Sequence, residues 1–235
     1  MIPLGVLAAS AQSGFADLSG IRFYAGPPAG SNGSNISTWV DESVAGNSAT
    51  TGTLKPTVIT NATPNGASAV NFSANDTYLG GVPENGRSFR WSTAPFSGTD
   101  DGEMWLVLKR TGDDQGAWTF STATPISHYT YGGIVADSFG GTVRFDAAGS
   151  TLNAWHVYRV RIVGPTLTAT LDGSALFSGT TSKSWATTQR IGVSTNAVVA
   201  YGFRGYIAAC VLRDRGSTTA EATIIRDHLN TVTGV

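Results

Sequence analysis

Carboxylates are the side chains of this sequence that most readily suggest chemistry. The 235 residues include four glutamates, which stand far apart: Glu42, Glu84, Glu103 and Glu221. Two aspartate doublets, Asp100-Asp101 and Asp113-Asp114, lie in glycine-rich turns. Because Asp in a turn accepts hydrogen bonds from nearby backbone amides, we favour that role for both doublets. Coordination of a calcium ion by their carboxylate oxygens is the alternative that stays open.

The three histidines form no pattern that would bind a metal ion or activate a nucleophile. His128, His156 and His228 do not have the i, i+2 or i, i+4 spacing of metal ligands. We expect a structural role for His156 on a predicted strand. His228 lies near the end of a predicted helix, where positive charge is favoured. The sequence also has no serine-hydrolase elbow and no phosphate-binding glycine motif. We therefore expect no catalytic residue, no metal site and no cofactor.

Aromatic side chains suggest a second kind of site, because they can stack on the C–H face of a sugar ring. Five of them fall close to predicted turns and could be exposed: Trp118, Tyr129, Tyr131, Trp185 and Tyr201. Since most aromatic residues of a β-sandwich belong to its core, packing is the favoured role for each one. Glycan-binding residues therefore stay unassigned.

The composition favours an all-β fold and argues against several kinds of partner. Charged residues make up only 13% of the chain, and glycine is abundant at 29 residues, which is typical of strands and turns. The net charge of −1, without a basic stripe, gives no basis for binding nucleic acid or an anionic membrane. No segment approaches the ~18 apolar residues of a membrane span. The single cysteine, Cys210, lies in an apolar run and is expected to be buried and inert.

The elements that would position these side chains are clearest in the last third of the sequence. Residues 155–163 alternate between apolar and polar side chains, which predicts a half-buried strand. The alternation continues through 167–171 to Asp172-Gly173, a two-residue hairpin turn. Residues 203–212 are apolar on both faces, which predicts a strand covered from both sides.

A helix is predicted to close the chain. Thr218 and Glu221 have the spacing of a capping box, and Ile224, Ile225 and Leu229 supply an apolar stripe behind it. After about two hundred residues of strand signals, we expect this helix to lie on an edge or end of a sheet.

Upstream, the periodicity predicts shorter strands over 21–25, 68–73, 87–91, 103–110, 117–122, 129–136 and 142–146. The sequence has no repeat and no linker, so one domain over 15–235 is the simplest organisation. Residues 1–14 form an apolar N-terminal arm without periodicity, and its Leu4, Val6 and Leu7 need cover from the domain or from another subunit.

The order of these motifs resembles the concanavalin A-like, laminin G-like jelly-roll family. Members commonly end in a stretch like Ile191-Gly192 followed by Phe203-x-Gly205-Tyr206-Ile207 and a short helix. Four upstream segments are similar to the family's opening strands, and a fifth to its first central strand: 39–43, 55–57, 65–72, 76–79 and 104–109. The resemblance covers residues 15–235 and implies a jelly-roll β-sandwich with one short C-terminal helix. The family's calcium-binding acidic positions have no counterpart that can be placed here.

The resemblance raises the option of a glycoside hydrolase, which needs two carboxylates about 5–10 Å apart. On a jelly roll these usually follow a Glu-x-Asp-x-x-Glu pattern, which is not present around Glu103. We therefore expect that the chain is not an enzyme. A glycan-cleaving enzyme with an atypical site remains an alternative, with Glu103 and Asp101 as the first candidates.

Residues 2–10 resemble the opening of small tail-associated proteins of bacteriophages. We therefore expect a bacteriophage virion structural protein, located in the virion as a minor tail or capsid-decoration protein. Its arm, residues 1–14, would bind other virion proteins, and the protein would be a homo-oligomer or a multicopy assembly. A host-surface glycan is a further expected ligand, and a free carbohydrate-binding lectin module is the main alternative.

Overall fold

The computed structural model describes residues 14–73, 86–98, 101–112, 115–122, 128–131, 134–137, 139–141, 143–146, 153–195 and 200–235. Several predicted features lie outside these residues: most of the N-terminal arm, the segment 76–79, Glu84, Asp100, Asp113 and Asp114.

The described residues form an all-β fold that ends in one helix, α1 (Thr219–Thr233). The strands are β1 (Ile21–Ala25), β2 (Thr38–Trp39), β3 (Ala49–Thr51), β4 (Thr57–Ile59), β5 (Ala69–Asn71), β6 (Phe89–Trp91), β7 (Gly102–Arg110), β8 (Gln115–Gly116), β9 (Trp118–Ser121), β10 (His128–Tyr131), β11 (Ile134–Asp137), β12 (Val143–Asp146), β13 (His156–Val163), β14 (Thr166–Leu171), β15 (Ser174–Thr180), β16 (Trp185–Ile191), β17 (Val193–Thr195), β18 (Ala200–Gly202) and β19 (Gly205–Arg213).

Two antiparallel sheets face each other across the main core. The larger has the strand order β15-β14-β13-β7-β19-β5-β4, with β1 paired to the remaining part of β19. The smaller has the order β2-β3-β6-β16-β9. Aromatic rings meet between them: Trp118 stacks on Tyr158 at 5.5 Å between ring centroids, and Phe23 meets Trp91 edge to face at 5.2 Å. The chain is therefore a β-sandwich. Further short strands pair as β12-β11-β10-β8 and β17-β18.

The central strand β19 is covered on both faces, as its sequence predicts. Ile207, Cys210 and Leu212 point into the main core. The register with β7 shifts between Ile207 and Ala209, so that the adjacent Ala208 and Ala209 both lie on the outer face. These small side chains leave room for another element to pack closely against the sheet.

That element is α1, which lies across the outer face of the larger sheet. Its buried Ile225 and Leu229 share a second apolar cluster with Trp105 of β7 and Val211 of β19. The predicted capping box is confirmed, since the Thr218 side chain accepts from the Glu221 amide and the Glu221 side chain accepts from the Thr218 amide. The expected place at an edge or end of the sheet is wrong, because the apolar outer side of β7 and β19 needs the apolar face of the helix as its cover.

The predicted hairpin between β14 and β15 is also confirmed. Asp172 and Gly173 separate the two strands and have φ angles of 51° and 82°. Positive φ at both positions is what a two-residue turn between twisted antiparallel strands requires.

Candidate functional site

A groove runs beside α1 on the side of the β13–β14–β15 hairpins. The outward side chains of β13 are Val157, Arg159 and Arg161, and they alternate with the core residues Tyr158, Val160 and Ile162. The groove consists of two cavities, both of which Arg226 of α1 lines. One lies toward the C-terminal end of the helix and the other beside its first turns.

The cavity toward the C-terminal end of α1, the Trp155 cavity, has a volume of about 580 Å³. It is lined by Pro64, Lys109, Ala154, Trp155, Val157, Asp172, Arg226, Asn230 and Val235. Its wall combines one aromatic ring with a carboxylate, a side-chain amide and two cationic side chains. This volume lies within the range of protein cavities that hold small organic ligands.

The indole of Trp155 is held in a fixed orientation. Its Nε1 donates to the carbonyl oxygen of Ala62 at 2.8 Å, and its ring lies 6.3 Å from that of Tyr206. Trp155 is half-buried, whereas the other five tryptophans of the chain are buried. An aromatic ring that is anchored along one edge and exposed to a cavity can stack on a ligand at little conformational cost.

Asp172 contributes a carboxylate that the hairpin turn orients toward β13. Its Oδ1 accepts from the Val157 amide at 2.8 Å, and its Oδ2 lies 2.7 Å from Nδ1 of the buried His156. The Asp172 side chain nevertheless stays 50% exposed. Since a carboxylate oxygen accepts more than one hydrogen bond, Asp172 can also bind the hydroxyl groups of a ligand.

The second cavity, the Arg159 cavity, has a volume of about 240 Å³. It is lined by Trp105, Arg159, Arg161, Thr170, Gly173, Ser217, Thr218, Thr219, Ala222, Thr223 and Arg226. Three of these side chains are guanidinium groups, and several others are hydroxyls. The N-terminal residues of α1 form one side of the cavity.

Beneath the Arg159 cavity lies a buried ion-pair network centred on Glu103. The Glu103 carboxylate is inaccessible to solvent and accepts from Arg159 Nε at 2.5 Å and from the Ser217 amide and hydroxyl. Arg213, equally buried, lies 3.6 Å from Glu103 and donates to Glu221 at 2.9 Å. The network fixes the N-terminal end of α1 to β7, β13 and β19.

Glu221 connects this network to the helix cap. Burial alone raises the pKa of Glu221, but hydrogen bonds from the Thr218 amide and from Arg213 lower it to about 2. Arg215 also donates to the Glu221 carboxylate. Glu221 therefore stays ionised well into the acid range.

Both carboxylates that the sequence suggested for glycan cleavage are engaged in protein contacts. Glu103 is held in the buried network described above. Asp101 accepts from Lys183 Nζ at 2.7 Å and from the Gly164 amide at 2.9 Å. Burial raises the pKa of Asp101, but these two hydrogen bonds outweigh it, so the pKa lies below its usual value. Neither carboxylate lines the Trp155 cavity or the Arg159 cavity.

The packing role favoured for the aromatic candidates is confirmed for two tryptophans. Trp118 is fully buried against Tyr158, and Trp185 is stacked on Phe96 at 4.5 Å. Both belong to the main core between the two sheets. Of the other aromatic candidates, Tyr129 and Tyr131 belong to β10 and Tyr201 to β18.

The expectation of favourable positive charge at His228 is wrong. His228 is buried, stacks on Phe15 at 4.0 Å between ring centroids, and its Nε2 lies 2.8 Å from the Tyr24 hydroxyl. Burial lowers the pKa of His228, so the neutral imidazole is favoured. Burial also raises the pKa of Tyr24.

His228 belongs to a third cavity, the Phe15 cavity, on the opposite side of α1. It has a volume of about 360 Å³ and is lined mainly by apolar side chains: Phe15, Ala16, Leu18, Ile21, Tyr24, Pro27, Glu42, Ser43, Val44, His228 and Val232. Val44 is 98% exposed at its rim. The cavity begins at Phe15, one residue after the predicted arm ends.

Cys210 is buried, as predicted, and burial raises the pKa of its thiol well above the usual value. Among the residues that the structure describes, no group of three or more His, Cys, Asp or Glu side chains could hold a metal ion. In the same part of the chain, no helix is both long enough and apolar enough to span a lipid bilayer.

Sequence reasoning missed the residues that line the Trp155 cavity. The sequence predicted Trp155 only as the first residue of the strand 155–163, and Asp172 only as a turn residue. Lys109 lies in β7, whereas Arg226 and Asn230 lie one turn apart in α1, so the site draws on elements that are distant in sequence. The one local sequence signal for this site was an aromatic residue, Trp155, at the start of the predicted strand 155–163.

No protein-family model matches this sequence, and no curated protein matches it. Solved structures match its fold at low sequence identity. A Trypanosoma rangeli sialidase matches with a TM-score of 0.52 and 12% identity, over 97% of this chain and 38% of its own. An arabinofuranosidase complexed with arabinofuranosyl-α-1,2-xylobiose matches with a TM-score of 0.51 and 14% identity, over 85% of this chain and 51% of its own. The chain thus spans only about 38–51% of the length of these proteins.

These matches correct the expectation that the chain is not an enzyme. Its β-sandwich also occurs within chains that are named sialidase and arabinofuranosidase. The fold is therefore shared with glycosidases, and the missing Glu-x-Asp-x-x-Glu pattern is not a sufficient reason to exclude catalysis. At 12–14% identity the likeness extends to the fold alone.

Proposed function

We propose that this chain is a concanavalin A-like, laminin G-like jelly-roll domain that binds a saccharide in the Trp155 cavity. The half-buried indole of Trp155, anchored through Ala62 at the wall of this cavity, is the observation that carries the proposal. Sugar rings present C–H groups to an aromatic face and hydroxyls to polar neighbours. Trp155 supplies the first kind of contact, and Asp172, Lys109 and Asn230 supply the second.

The volume of the Trp155 cavity suits one or two sugar residues. A cavity of about 580 Å³ is too small for a longer oligosaccharide to be enclosed, so we expect recognition of a terminal or branch sugar. One ring stacked on one indole, with a few hydroxyl contacts, gives modest affinity for each domain. Several copies on one particle would raise the overall affinity through multivalency.

A glycan array followed by calorimetric titration tests this proposal. The wild-type domain should bind a defined set of saccharides, and Trp155→Ala should weaken binding at least about fivefold, since aromatic stacking contributes roughly 1 kcal/mol or more. Trp155→Phe should retain part of the affinity, because the ring face remains while the bond to Ala62 is lost. Asp214→Asn, at a residue that pairs with Arg22 and does not line the cavity, is the control and should bind normally.

Absence of saccharide binding by the folded wild-type domain on a broad array would overturn the proposal. So would unchanged binding by Trp155→Ala, because the ligand would then lie elsewhere. The thermal unfolding of each variant is measured alongside, so that loss of fold is not mistaken for loss of contact.

We also propose that the protein acts as a multicopy component of a bacteriophage virion, in the tail or on the capsid. The resemblance of residues 2–10 to phage tail-associated proteins supports this role. The apolar Phe15 cavity, with Val44 fully exposed at its rim, supports assembly through contact between copies. In this proposal the apolar arm, residues 1–14, of one copy occupies the Phe15 cavity of the next.

Light scattering coupled to size exclusion tests this assembly. The wild-type protein should form oligomers, while a chain that begins at Gly14, and the Val44→Asp variant, should be monomeric. Val163→Asp is the matched control, because Val163 is another exposed valine, at 40%, and does not line the Phe15 cavity. A wild-type protein that stays monomeric at high concentration would contradict the proposal.

A further inference from the structure

The Arg159 cavity has an excess of positive charge. Arg159, Arg161 and Arg226 line it, and none of the described residues that line it is acidic. Arg161 donates only to neutral groups, the Thr168 hydroxyl at 3.0 Å and the Ser217 carbonyl at 3.1 Å. Arg226 has Asp227 at 3.8 Å, with both side chains about half exposed. Two guanidinium groups therefore face this cavity without a close buried counter-ion.

Two buried donors at the same cavity have no acceptor. Arg159 is anchored through Nε to Glu103, but its Nη2 is buried and has no hydrogen-bond partner among the described residues. The indole Nε1 of Trp105, a residue only 4% exposed, is also without a partner there. The Arg159 guanidinium lies 4.6 Å from the centroid of the Trp105 ring. Buried donors are nearly always paired in proteins, so an acceptor oxygen of a ligand would satisfy these two. Trp91 Nε1 and Arg213 Nε, which do not line the cavity, also have no partner among the described residues.

The N-terminal end of α1 adds to the positive electrostatic potential in the Arg159 cavity. The helix has fifteen residues, and Thr218, Thr219 and Thr223 at its beginning line the cavity. The partial positive charge of a helix N-terminus favours an anion, and the threonine hydroxyls can donate to its oxygens. This contribution supplements the arginines and the unpaired donors.

The Arg159 cavity adjoins the Trp155 cavity. Arg226 lines both of them, and the neighbouring turn residues Asp172 and Gly173 line one each. Val157 and Arg159 are successive outward residues of β13, and each lines a different cavity. A ligand whose ring stacks on Trp155 can therefore extend a charged substituent along β13 to Arg159 and Arg161.

We infer that the Arg159 cavity binds an anionic substituent, a carboxylate or a sulfate, of an acidic saccharide. This inference rests on the proposed saccharide site and specifies the class of its ligand. The guanidinium group suits both substituents, because its fork of N–H donors matches two oxygens of either anion. The small volume of the cavity suits a substituent rather than a second ring.

Calorimetric titration with a matched set of oligosaccharides tests the class of ligand. The probes are a uronate oligosaccharide, the same oligosaccharide with its carboxyls reduced to hydroxymethyl groups, and a sulfated oligosaccharide. The wild-type domain should bind one of the acidic probes at least about tenfold more tightly than the neutral one, and which probe is favoured identifies the anion. Arg161→Gln should remove this preference and leave the affinity for the neutral probe unchanged.

Arg22→Gln is the control for the loss of one positive charge. Arg22 is 50% exposed, pairs with Asp214 at 2.6 Å and lies outside both cavities. The Arg22→Gln variant should retain the wild-type preference for the acidic probe. Equal binding of acidic and neutral probes, or the same loss in Arg22→Gln as in Arg161→Gln, would overturn the anionic subsite while leaving the saccharide site intact.

A second measurement does not depend on any saccharide. Sodium sulfate is titrated into the labelled protein and compared with sodium chloride at equal ionic strength, while NMR follows the arginine Nε–H and tryptophan Nε1–H signals. Saturable shifts of the Arg159, Arg161 and Trp105 signals, with Arg22 unmoved, are expected. If sulfate moves none of them, the anionic subsite is refuted, whatever the glycan array shows.

Discussion

Replacing Glu103 by Gln removes the negative charge at the centre of the buried network. Glu103 and Arg213 are both inaccessible to solvent, and three donor groups converge on the carboxylate: Arg159 Nε and the amide and hydroxyl of Ser217. The amide of glutamine offers one acceptor oxygen, and its NH2 group would face donors. Among the described residues, Arg213 would then keep Glu221 as its close counter-ion, and Arg159 would have lost its ion-pair partner.

The expected cost follows from this arrangement. Removing one partner of a buried ion pair costs about 3–5 kcal/mol, because the remaining charge is left uncompensated in a site of low polarity. A domain of this kind has a free energy of unfolding of about 5–15 kcal/mol, so Glu103→Gln should lose a large fraction of it. Urea denaturation at neutral pH, followed by tryptophan fluorescence, measures the change.

Asp227→Asn is the control for this measurement. It also removes one carboxylate beside an arginine, but both side chains are about half exposed and the separation is 3.8 Å. Its effect should stay within about 0.5 kcal/mol. If Glu103→Gln lowers the free energy of unfolding by less than about 1 kcal/mol, with an unchanged m-value in urea, the view that Glu103 neutralises the buried arginines is refuted.

Three further outcomes follow from the geometry. The pKa of Glu221 is about 2, below its ordinary value of 4.5, so its contribution to stability is present above pH 4.5 and lost as the pH falls toward 2. In the Glu221→Gln variant, the free energy of unfolding should therefore depend less on pH between 4.5 and 2, as measured by denaturation at several pH values. Gly173→Val should lower the free energy of unfolding by about 1–3 kcal/mol, because the φ of 82° at this position is strained for valine. Gly52→Val, with open space around the site, is the control and should lower it little. Equal denaturation midpoints for the two variants would refute this prediction. His228→Phe should reduce the loss of stability as the pH falls below 6.5, because the lowered pKa of His228 keeps its imidazole neutral in the folded protein. An unchanged stability profile would contradict that assignment.

The parts of the fold that sequence could predict are those set by neighbouring residues. Asp172-Gly173 defines a turn through its own backbone preferences, and Thr218 with Glu221 defines a helix start within four residues. The two-sided apolar pattern of 203–212 predicted a covered strand in the same way. Each of these signals acts over less than a dozen residues.

The candidate site could not be predicted because it forms through contacts between distant segments. Trp155 is oriented by the carbonyl of Ala62, which lies 93 positions away. The place of α1 depends on Ala208 and Ala209 lying together on the outer face, which follows from a register shift that the sequence does not signal. For Trp118 and Trp185 the sequence favoured packing but left exposure open, since proximity to a turn does not reveal which sheet covers a side chain.

The most direct test of saccharide binding follows the six tryptophan indole N–H signals during titration with a neutral saccharide from the array. Five of these tryptophans are buried, and Trp155 alone of the six is half-buried at a cavity wall. The proposed function predicts a saturable shift of the Trp155 signal, with the signals of the core residues Trp118 and Trp185 nearly unmoved. Saturable binding that leaves the Trp155 signal in place would contradict it.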